Sequence, residues 1–188
     1  MPPPAKHLLL CLVLLVGCGQ RPPWADGRLV REPAPAEPVV QDLGHFEQHM
    51  LAAHNRERAA AGAAPLAWDP ALAAAAASYG PALSRLGKLA HSEPSTRPGQ
   101  GENLFMGTRG AYRLDEMVGG WAGEKRLFRP GIFPDVSISG HWEDVAHYTQ
   151  MIWPATRRVG CAVYKDSEWD FLVCRYAPAG NVVGEPIR

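Results

Sequence analysis

The chain has 188 residues, of which 46% are hydrophobic and six are tryptophan, so it can bury one sizeable core. This composition excludes a wholly disordered chain. Nineteen basic side chains balance nineteen acidic ones, so the chain lacks the net positive charge that is typical of nucleic-acid-binding proteins. We therefore expect one globular domain with no nucleic acid partner.

The N-terminus has the pattern of an export signal. Lys6 precedes the apolar run 8–16, which is too short to span a membrane as a helix of about 20 residues. The run ends in Leu15-Val16-Gly17-Cys18, which resembles the bacterial lipoprotein box, where a lipid is attached to the cysteine. We expect residues 1–17 to be removed and lipidated Cys18 to anchor the protein to a bacterial membrane. An ordinary signal peptide is the alternative, and it would release a freely secreted protein.

Residues 18–42 predict a spacer between the lipid and the domain. Five prolines lie in this segment among alanine, glutamate and arginine, without apolar periodicity. Such a segment stays extended and semi-rigid, so it would hold residues 43–188 away from the membrane. The alternative is an ordered arm that packs on the domain through Leu29 and Val30.

A first helix is predicted over residues 44–61, where apolar residues recur at spacings of three and four. His54, Asn55 and Arg58 share one face of this helix. We interpret them as hydrogen-bonding groups that tie the helix to the sheet.

Two more helices are predicted further along the chain. Asp69 is a candidate N-cap before Pro70, and the second helix ends near Gly87. The third helix is predicted over residues 111–126, and Glu124 lies on its apolar face.

Three runs rich in β-branched and aromatic residues predict antiparallel strands: Tyr148–Trp153, Val159–Lys165 and Trp169–Ala177. If the last two form a hairpin that turns over residues 166–169, Cys161 faces Cys174. Opposed residues lie about 4.5 to 5.5 Å apart at Cα, within reach of a disulfide, and export provides an oxidising compartment. We predict a Cys161–Cys174 disulfide; two free buried cysteines are the alternative.

Several common catalytic motifs are missing from the sequence. It contains no H-E-x-x-H, no G-x-S-x-G and no phosphate-binding G-x-x-x-x-G-K-[ST]. His141-Trp142-Glu143 matches half of a deaminase signature, but no P-C-x-x-C follows. The sequence thus gives no indication of these chemistries.

A series of short phrases runs in a fixed order between residues 46 and 184. They are Leu51 with His54-Asn55 and Arg58; Pro65-Leu66 with Trp68-Asp69 and Leu72; His91-Ser92; Gly101-Glu102-Asn103-Leu104; Val118, Trp121 and Glu124-Lys125; His147-Tyr148-Thr149-Gln150-Met151-Ile152-Trp153 with Thr156; Val159-Gly160-Cys161-Ala162; and Val173-Cys174 with Tyr176, Pro178 and Gly180-Asn181. In this order and spacing they resemble the CAP superfamily, also called SCP domains. Ala146 departs from the pattern, because the family usually has glycine there, and its methyl group would narrow the cleft.

The resemblance implies an α+β fold, an α-β-α sandwich with a central antiparallel sheet of about three strands. It also implies a cleft lined by His91, Glu102, Glu124 and His147. Two neutral imidazoles, those of His91 and His147, can bind a divalent metal such as zinc, while nearby carboxylates orient water or the imidazole N–H groups. The alternative is a buried polar network that only fixes the fold.

The resemblance also implies a function, because similar family members bind sterols and other hydrophobic ligands. We expect a monomeric binding module whose cleft takes a lipid, sterol, peptide or glycan at the cell envelope, with no catalytic residue assigned. The first alternative is a hydrolase of peptides or cell-wall polymers, in which Glu102 or Glu124 is the general acid or base. The second is an adhesion protein that needs none of the four cleft residues.

Overall fold

The computed structural model describes residues 36–39 and 41–188. The predicted signal peptide, the lipidation site Cys18 and the apolar pair Leu29 and Val30 lie outside the described residues. Within the described part of the chain, no helix is both long and apolar enough to cross a membrane.

The described residues form a main sheet covered by helices on both faces. The elements are α1 Phe46–Ala60, β1 Ala67–Trp68, α2 Pro70–Leu86, β2 Gly101–Thr108, α3 Leu114–Gly123, β3 Gly131–Ile132, α4 Ala146–Ile152, β4 Arg158–Lys165, β5 Trp169–Ala177 and β6 Pro186–Ile187. The main sheet has the strand order β1-β4-β5-β2, in which β1 runs parallel to β4 and the other neighbours are antiparallel. Strands β3 and β6 form a separate antiparallel pair.

The alternation of side chains along β5 builds two cores, because successive residues of a strand point to opposite faces. Leu172, Cys174 and Tyr176 belong to the larger core, which α1, α3 and α4 cover. Phe171 and Val173 belong to the smaller core, where α2 packs. This arrangement confirms the predicted α-β-α sandwich.

Helix α2 begins and ends where its local signals predict. The side chain of Asp69 accepts hydrogen bonds from the backbone N–H groups of Ala71 at 2.9 Å and Leu72 at 3.2 Å. Pro70 occupies the first helical position, and Gly87 ends the helix with a φ of 60° in the left-handed region. Both predicted boundaries are confirmed.

The predicted strand Tyr148–Trp153 is wrong, because residues Ala146–Ile152 form α4. The reason is a tertiary contact that local composition does not reveal. A carboxylate oxygen of Glu124 accepts the backbone N–H groups of His147 at 2.9 Å and Tyr148 at 3.0 Å. These are first-turn donors that have no partner inside a helix, so Glu124 caps α4 from a distant part of the chain.

The third long antiparallel strand is instead β2, which was not predicted as a strand. It pairs with β5 along its whole length, and this pairing places Glu102 opposite Arg175. The strand begins with glycine, glutamate and asparagine, which are depleted in strands. Composition alone therefore gave no signal for it.

The hairpin of β4 and β5 has the predicted register. Lys165 pairs with Asp170, and Cys161 pairs with Cys174. The two cysteines form a disulfide with a Cα–Cα distance of 4.1 Å. This prediction is confirmed.

The last residues of the predicted spacer contact the domain. The backbone N–H of Val39 donates to the carbonyl of Gly110 at 2.8 Å. The side-chain amide of Gln41 donates to the carbonyl of Tyr112 at 2.9 Å and to the carboxylate of Asp170 at 3.2 Å. These bonds lie at the end of β2 opposite to the one that carries Glu102.

Helix α1 is tied to the sheet through His54, as its place on the helix face predicts. The fully buried ring donates through Nδ1 to the carbonyl of Met50 at 2.7 Å, and its Nε2 accepts from the hydroxyl of Tyr176 at 2.8 Å. Burial lowers the pKa of His54 from 6.5 to about 4. The ring is therefore neutral in the folded protein at neutral pH.

This buried histidine makes stability depend on pH. Because its folded pKa lies below the ordinary value of 6.5, the unfolded chain binds the proton first as the pH falls. The stability is fully present above about pH 6.5 and is lost progressively toward pH 4. Between about pH 7.5 and about pH 5, we expect the wild type to lose about 2 kcal/mol more than His54→Gln, because the loss approaches about 1.4 kcal/mol per pH unit below the ordinary pKa. Urea unfolding of both proteins at the two pH values measures this, and equal losses would contradict it.

Candidate functional site

A cleft of about 480 Å³ opens beside the first residues of β2. Its wall includes His91, Glu102, Asn103, His147, Gln150 and Asn181. Three of the four residues predicted for the cleft thus line it. The fourth, Glu124, is buried and contacts His147.

The first half of the site is a pair between His91 and Glu102. The Glu102 side chain is fully buried, whereas the imidazole of His91 is 57% exposed. One carboxylate oxygen accepts from His91 Nδ1 at 2.7 Å and from the backbone N–H of Ser92 at 3.0 Å. The other oxygen accepts from the Ser92 hydroxyl at 3.1 Å and lies 3.0 Å from Nη2 of Arg175. Both oxygens of the Glu102 carboxylate are therefore fixed by neighbouring groups.

These contacts keep Glu102 ionised. Burial of the side chain opposes its charge, but the hydrogen bond from His91, the charge of Arg175 and the N–H of Ser92 together outweigh that cost and hold the pKa below its ordinary value. An ionised carboxylate can only accept hydrogen bonds. His91 must therefore donate through Nδ1.

The second half of the site is a pair between His147 and Glu124. One carboxylate oxygen of Glu124 accepts from His147 Nδ1 at 2.6 Å, and the other oxygen caps α4 as described above. The ring of Trp121 stacks on that of His147, with centroids 5.9 Å apart and an angle of 13° between the planes. The imidazole of His147 is thus fixed by its place in the first turn of α4, by the carboxylate of Glu124 and by the indole of Trp121.

Both histidines present the same chemistry to the cleft. Each Nδ1 is engaged by a carboxylate, and neither Nε2 has a hydrogen-bond partner in the described part of the chain. A carboxylate that accepts one ring N–H of a metal-binding histidine is the usual support of such a ligand, because it fixes the tautomer and raises ligand basicity. The donor chemistry therefore fits a divalent metal at His91 and His147.

The site offers few further metal ligands of its own. Over residues 36–39 and 41–188, no group of three or more histidine, cysteine, aspartate or glutamate side chains is placed to hold one ion. A metal held by the two imidazoles would complete its coordination with water or with a bound molecule.

Several residues around the pairs were not predicted for the site. Ser92 and Arg175 also contact the carboxylate of Glu102, through the backbone N–H of Ser92 and Nη2 of Arg175. Asn103 donates to the carbonyl of His147 at 3.1 Å and so links β2 to α4. The pairing of Glu102 with Arg175 across β2 and β5 would have revealed Arg175, but only with β2 recognised as a strand.

The far wall of the cleft is a polar loop joined to α4. Asn181, at a positive φ of 56°, accepts from the hydroxyl of Thr149 at 2.7 Å and donates to the carbonyl of Ala146 at 2.9 Å. The side chain of Gln150 accepts the backbone N–H of Gly180 at 2.9 Å. Ala146, the departure noted in the sequence, also lines the cleft.

Comparison with known proteins gives consistent matches. The model of the cysteine-rich secretory protein family, CAP, matches residues 51–176. Pathogenesis-related protein 1B of Nicotiana tabacum is 36% identical over 141 residues, which cover 74% of this chain and 79% of the tobacco protein. Pathogenesis-related protein PR-1 of Medicago truncatula is 34% identical over 142 residues, covering 74% and 78% of the two chains. Among solved structures, that of NaASP2 with Zn²⁺ is similar at a TM-score of 0.63 and 25% identity, over 82% of this chain and 88% of the other.

Proposed function

This chain belongs to the CAP family, the cysteine-rich secretory protein family, and from that membership we propose that it is an extracytoplasmic ligand-binding protein. Its ligand is a lipid, peptide or glycan that enters the cleft between His91 and His147. The observation that carries the proposal is the pair of imidazoles whose Nδ1 atoms are held by buried carboxylates. Such rings are oriented before any ligand arrives, which lowers the entropic cost of binding.

The wall of the cleft suits a ligand that is partly apolar and partly polar. Trp142, which is 38% exposed, offers an aromatic ring, while Gln150 and Asn181 supply amide groups in the same wall. Ligand sites commonly combine aromatic contact area with a few fixed polar groups, at volumes of about 300 to 1,000 Å³. The cleft volume of about 480 Å³ lies within this range.

Zinc is the metal that we propose for the two histidines. The related NaASP2 structure contains Zn²⁺, and His91 and His147 provide the oriented imidazoles that such an ion prefers. When bound, the ion would supply a Lewis acid for an oxygen atom of the ligand. The two carboxylates would keep the rings in place and balance part of the added charge.

The hydrogen bonds of the carboxylates favour binding over hydrolysis. A general base needs a free oxygen within reach of the proton that it removes. Both oxygens of Glu102 accept hydrogen bonds, as do both oxygens of Glu124. Glu102 would have to give up a structural bond before it could act on a substrate, and Glu124 is buried and does not line the cleft, so hydrolysis stays the second hypothesis.

We place this function at a bacterial envelope, through a lipid on Cys18. The leader pattern supports this location, and the Cys161–Cys174 disulfide supports it further because neither cysteine is left to pair with Cys18. Mass analysis of detergent-extracted protein tests the tether. We expect a lipid adduct that Cys18→Ser lacks, and an unmodified wild-type product would contradict it.

The cleft itself is tested with a double variant, His91→Ala/His147→Ala. We expect the wild type to retain zinc and to enrich one class of envelope molecule. We expect the amounts of bound zinc and of bound envelope molecule to be at least about tenfold lower in the variant. Metal analysis and mass spectrometry of the proteins after incubation with an envelope extract measure the two effects. His45→Ala/His49→Ala is the matched control, because both of these histidines are exposed and lie outside the cleft.

The same experiment separates the two hypotheses. Bound molecules without new cleavage products support the binding module. Products that vanish in the double variant would favour the hydrolase. Identical metal content and identical bound molecules in all three proteins would contradict the proposed role of the histidines.

A further inference from the structure

A second cavity, of about 520 Å³, lies between α2 and the loop that carries His91. We call it the α2 cavity, and its wall includes Ala75, Ser78, Tyr79, Leu86, Ala90 and Arg175. Ser92 also lines the α2 cavity, and His91 lines both this cavity and the cleft. None of the functions considered above uses the α2 cavity.

Arg175 is the unusual feature of this wall. Its side chain is only 4% exposed, yet its Nε has no hydrogen-bond partner among the residues that the structure describes. The guanidinium lies 5.7 Å from the centroid of the Tyr79 ring, within the range of a cation–π contact. A guanidinium carries five N–H donors, and burying a charge without enough acceptors is costly.

Glu102 provides only some of the acceptors that the buried guanidinium of Arg175 needs. It is the only acidic partner of Arg175 in the described residues, through one contact of 3.0 Å to Nη2. The same carboxylate also accepts from His91 and twice from Ser92. Burial lowers the pKa of Arg175 despite the attraction of Glu102, so the surroundings only partly compensate the buried positive charge.

We propose that the α2 cavity binds a small monocarboxylate. The carboxylate would give the guanidinium of Arg175, which lines the cavity, a second acidic partner beside Glu102, since planar guanidinium and carboxylate groups match in geometry. The apolar body of the ligand would rest on Ala75, Leu86 and Ala90, which supply the apolar part of the wall. Glu93 also lines the cavity and is exposed, so a second negative charge on the ligand would be repelled.

This site is independent of the ligand proposed for the cleft, but the two share a wall. A carboxylate on Arg175 would compete with Glu102 for the guanidinium. The backbone N–H of Ser92, which donates to Glu102 at 3.0 Å, would register that change. The Ser92 amide is therefore a reporter that sits between the two sites.

The test is an NMR titration of the ¹⁵N-labelled protein with benzoate, and with benzamide as the neutral molecule of similar shape. We expect saturable shifts of the Ala90 and Ser92 amides with benzoate, at a Kd of about 1 mM. Benzamide should bind at least about tenfold more weakly, because it lacks the charge. Equal binding of the two probes, or no saturable shift with benzoate, would overturn the proposal.

Two surface variants locate the site without disturbing Arg175. Ser78→Phe should fill the cavity and abolish the benzoate shifts, since Ser78 is exposed and its hydroxyl bonds only within α2. Ala77→Phe is the matched control, because Ala77 is exposed on the same helix and does not line the cavity. Unchanged benzoate binding in Ser78→Phe would overturn the assignment.

A peptide identifies the source of the carboxylate. N-acetyl-alanyl-phenylalanine with a free C-terminus is added to the benzoate complex. Displacement of benzoate would assign the cavity to peptide C-termini, and failure to displace it would assign the cavity to free small acids. Either result keeps Arg175 as the anchor.

Discussion

Replacing Glu102 by alanine is expected to lower the free energy of unfolding by about 3 to 5 kcal/mol, because it leaves the buried guanidinium of Arg175 without its acidic partner. The substitution also removes the acceptor of the Ser92 backbone N–H, which is buried. Urea unfolding at neutral pH, monitored by tryptophan fluorescence, measures the loss. Glu93→Ala is the control, because this exposed neighbour should change stability by less than about 0.5 kcal/mol.

A double variant shows whether the charge of Arg175 causes this loss. Glu102→Ala/Arg175→Met removes both members of the buried pair, and replacing a whole buried ion pair by apolar groups is far less costly than breaking it. We expect the double variant to recover at least about 1 kcal/mol relative to Glu102→Ala. A double variant that is less stable than Glu102→Ala would contradict this cause, because it would show that Arg175 stabilises the fold through other contacts, such as the one with Tyr79, even without its acidic partner.

The fold was predictable from the sequence where its signals are local. The N-cap Asp69, the proline that follows it and Gly87 determine α2 within one turn of each end. The hairpin of β4 and β5 is similar, because a short turn fixes the register that joins Cys161 to Cys174. Neither feature needs information from a distant part of the chain.

Helix α4 and strand β2 were not predictable in this way, because distant groups stabilise them. The first turn of α4 depends on a carboxylate from Glu124, more than twenty residues earlier in the chain. The buried glutamate of β2 depends on Arg175, which β5 places opposite to it. Local propensity favours a strand for the first segment and a loop for the second, and tertiary contacts override both.

The candidate site also depends on contacts between distant parts of the chain, which local sequence signals do not reveal. No spacing rule connects His91, Glu102, Glu124 and His147, so only the family resemblance could bring them together. The structure adds that each histidine is paired with its own glutamate, with hydrogen bonds of 2.7 and 2.6 Å. The carboxylates therefore support the imidazoles, and the imidazoles are the groups that can meet a ligand.

Replacing Arg58 by methionine is expected to cost about 4 kcal/mol of stability, the largest loss outside the site. The fully buried guanidinium donates to the carbonyls of Ala64, Met151, Trp153 and Thr156 at 2.5 to 3.0 Å. Burial lowers its pKa to about 10, so it stays charged at neutral pH. Each carbonyl left without a donor costs about 1 kcal/mol or more.

The matched control for Arg58 lies on the same helix. Arg56 has a side chain that is 67% exposed, and the Glu57 carboxylate that it contacts at 3.5 Å keeps a second partner in Lys125 at 3.1 Å, so Arg56→Met should change the free energy of unfolding by less than about 1 kcal/mol. Urea unfolding of the two variants beside the wild type gives both numbers. A loss below about 1 kcal/mol for Arg58→Met would mean that water replaces the guanidinium at these carbonyls.

The position of these carbonyls connects the stability of α1 to the site. Met151 lies in the last turn of α4 and Trp153 directly follows that helix, while His147 lies in its first turn. Arg58 and Glu124 thus hold opposite ends of the same seven-residue helix. A helix this short depends on such contacts for its stability. Arg58→Met should therefore speed amide hydrogen exchange in α4 more than in α2, and equal acceleration in both helices would contradict a local role for Arg58.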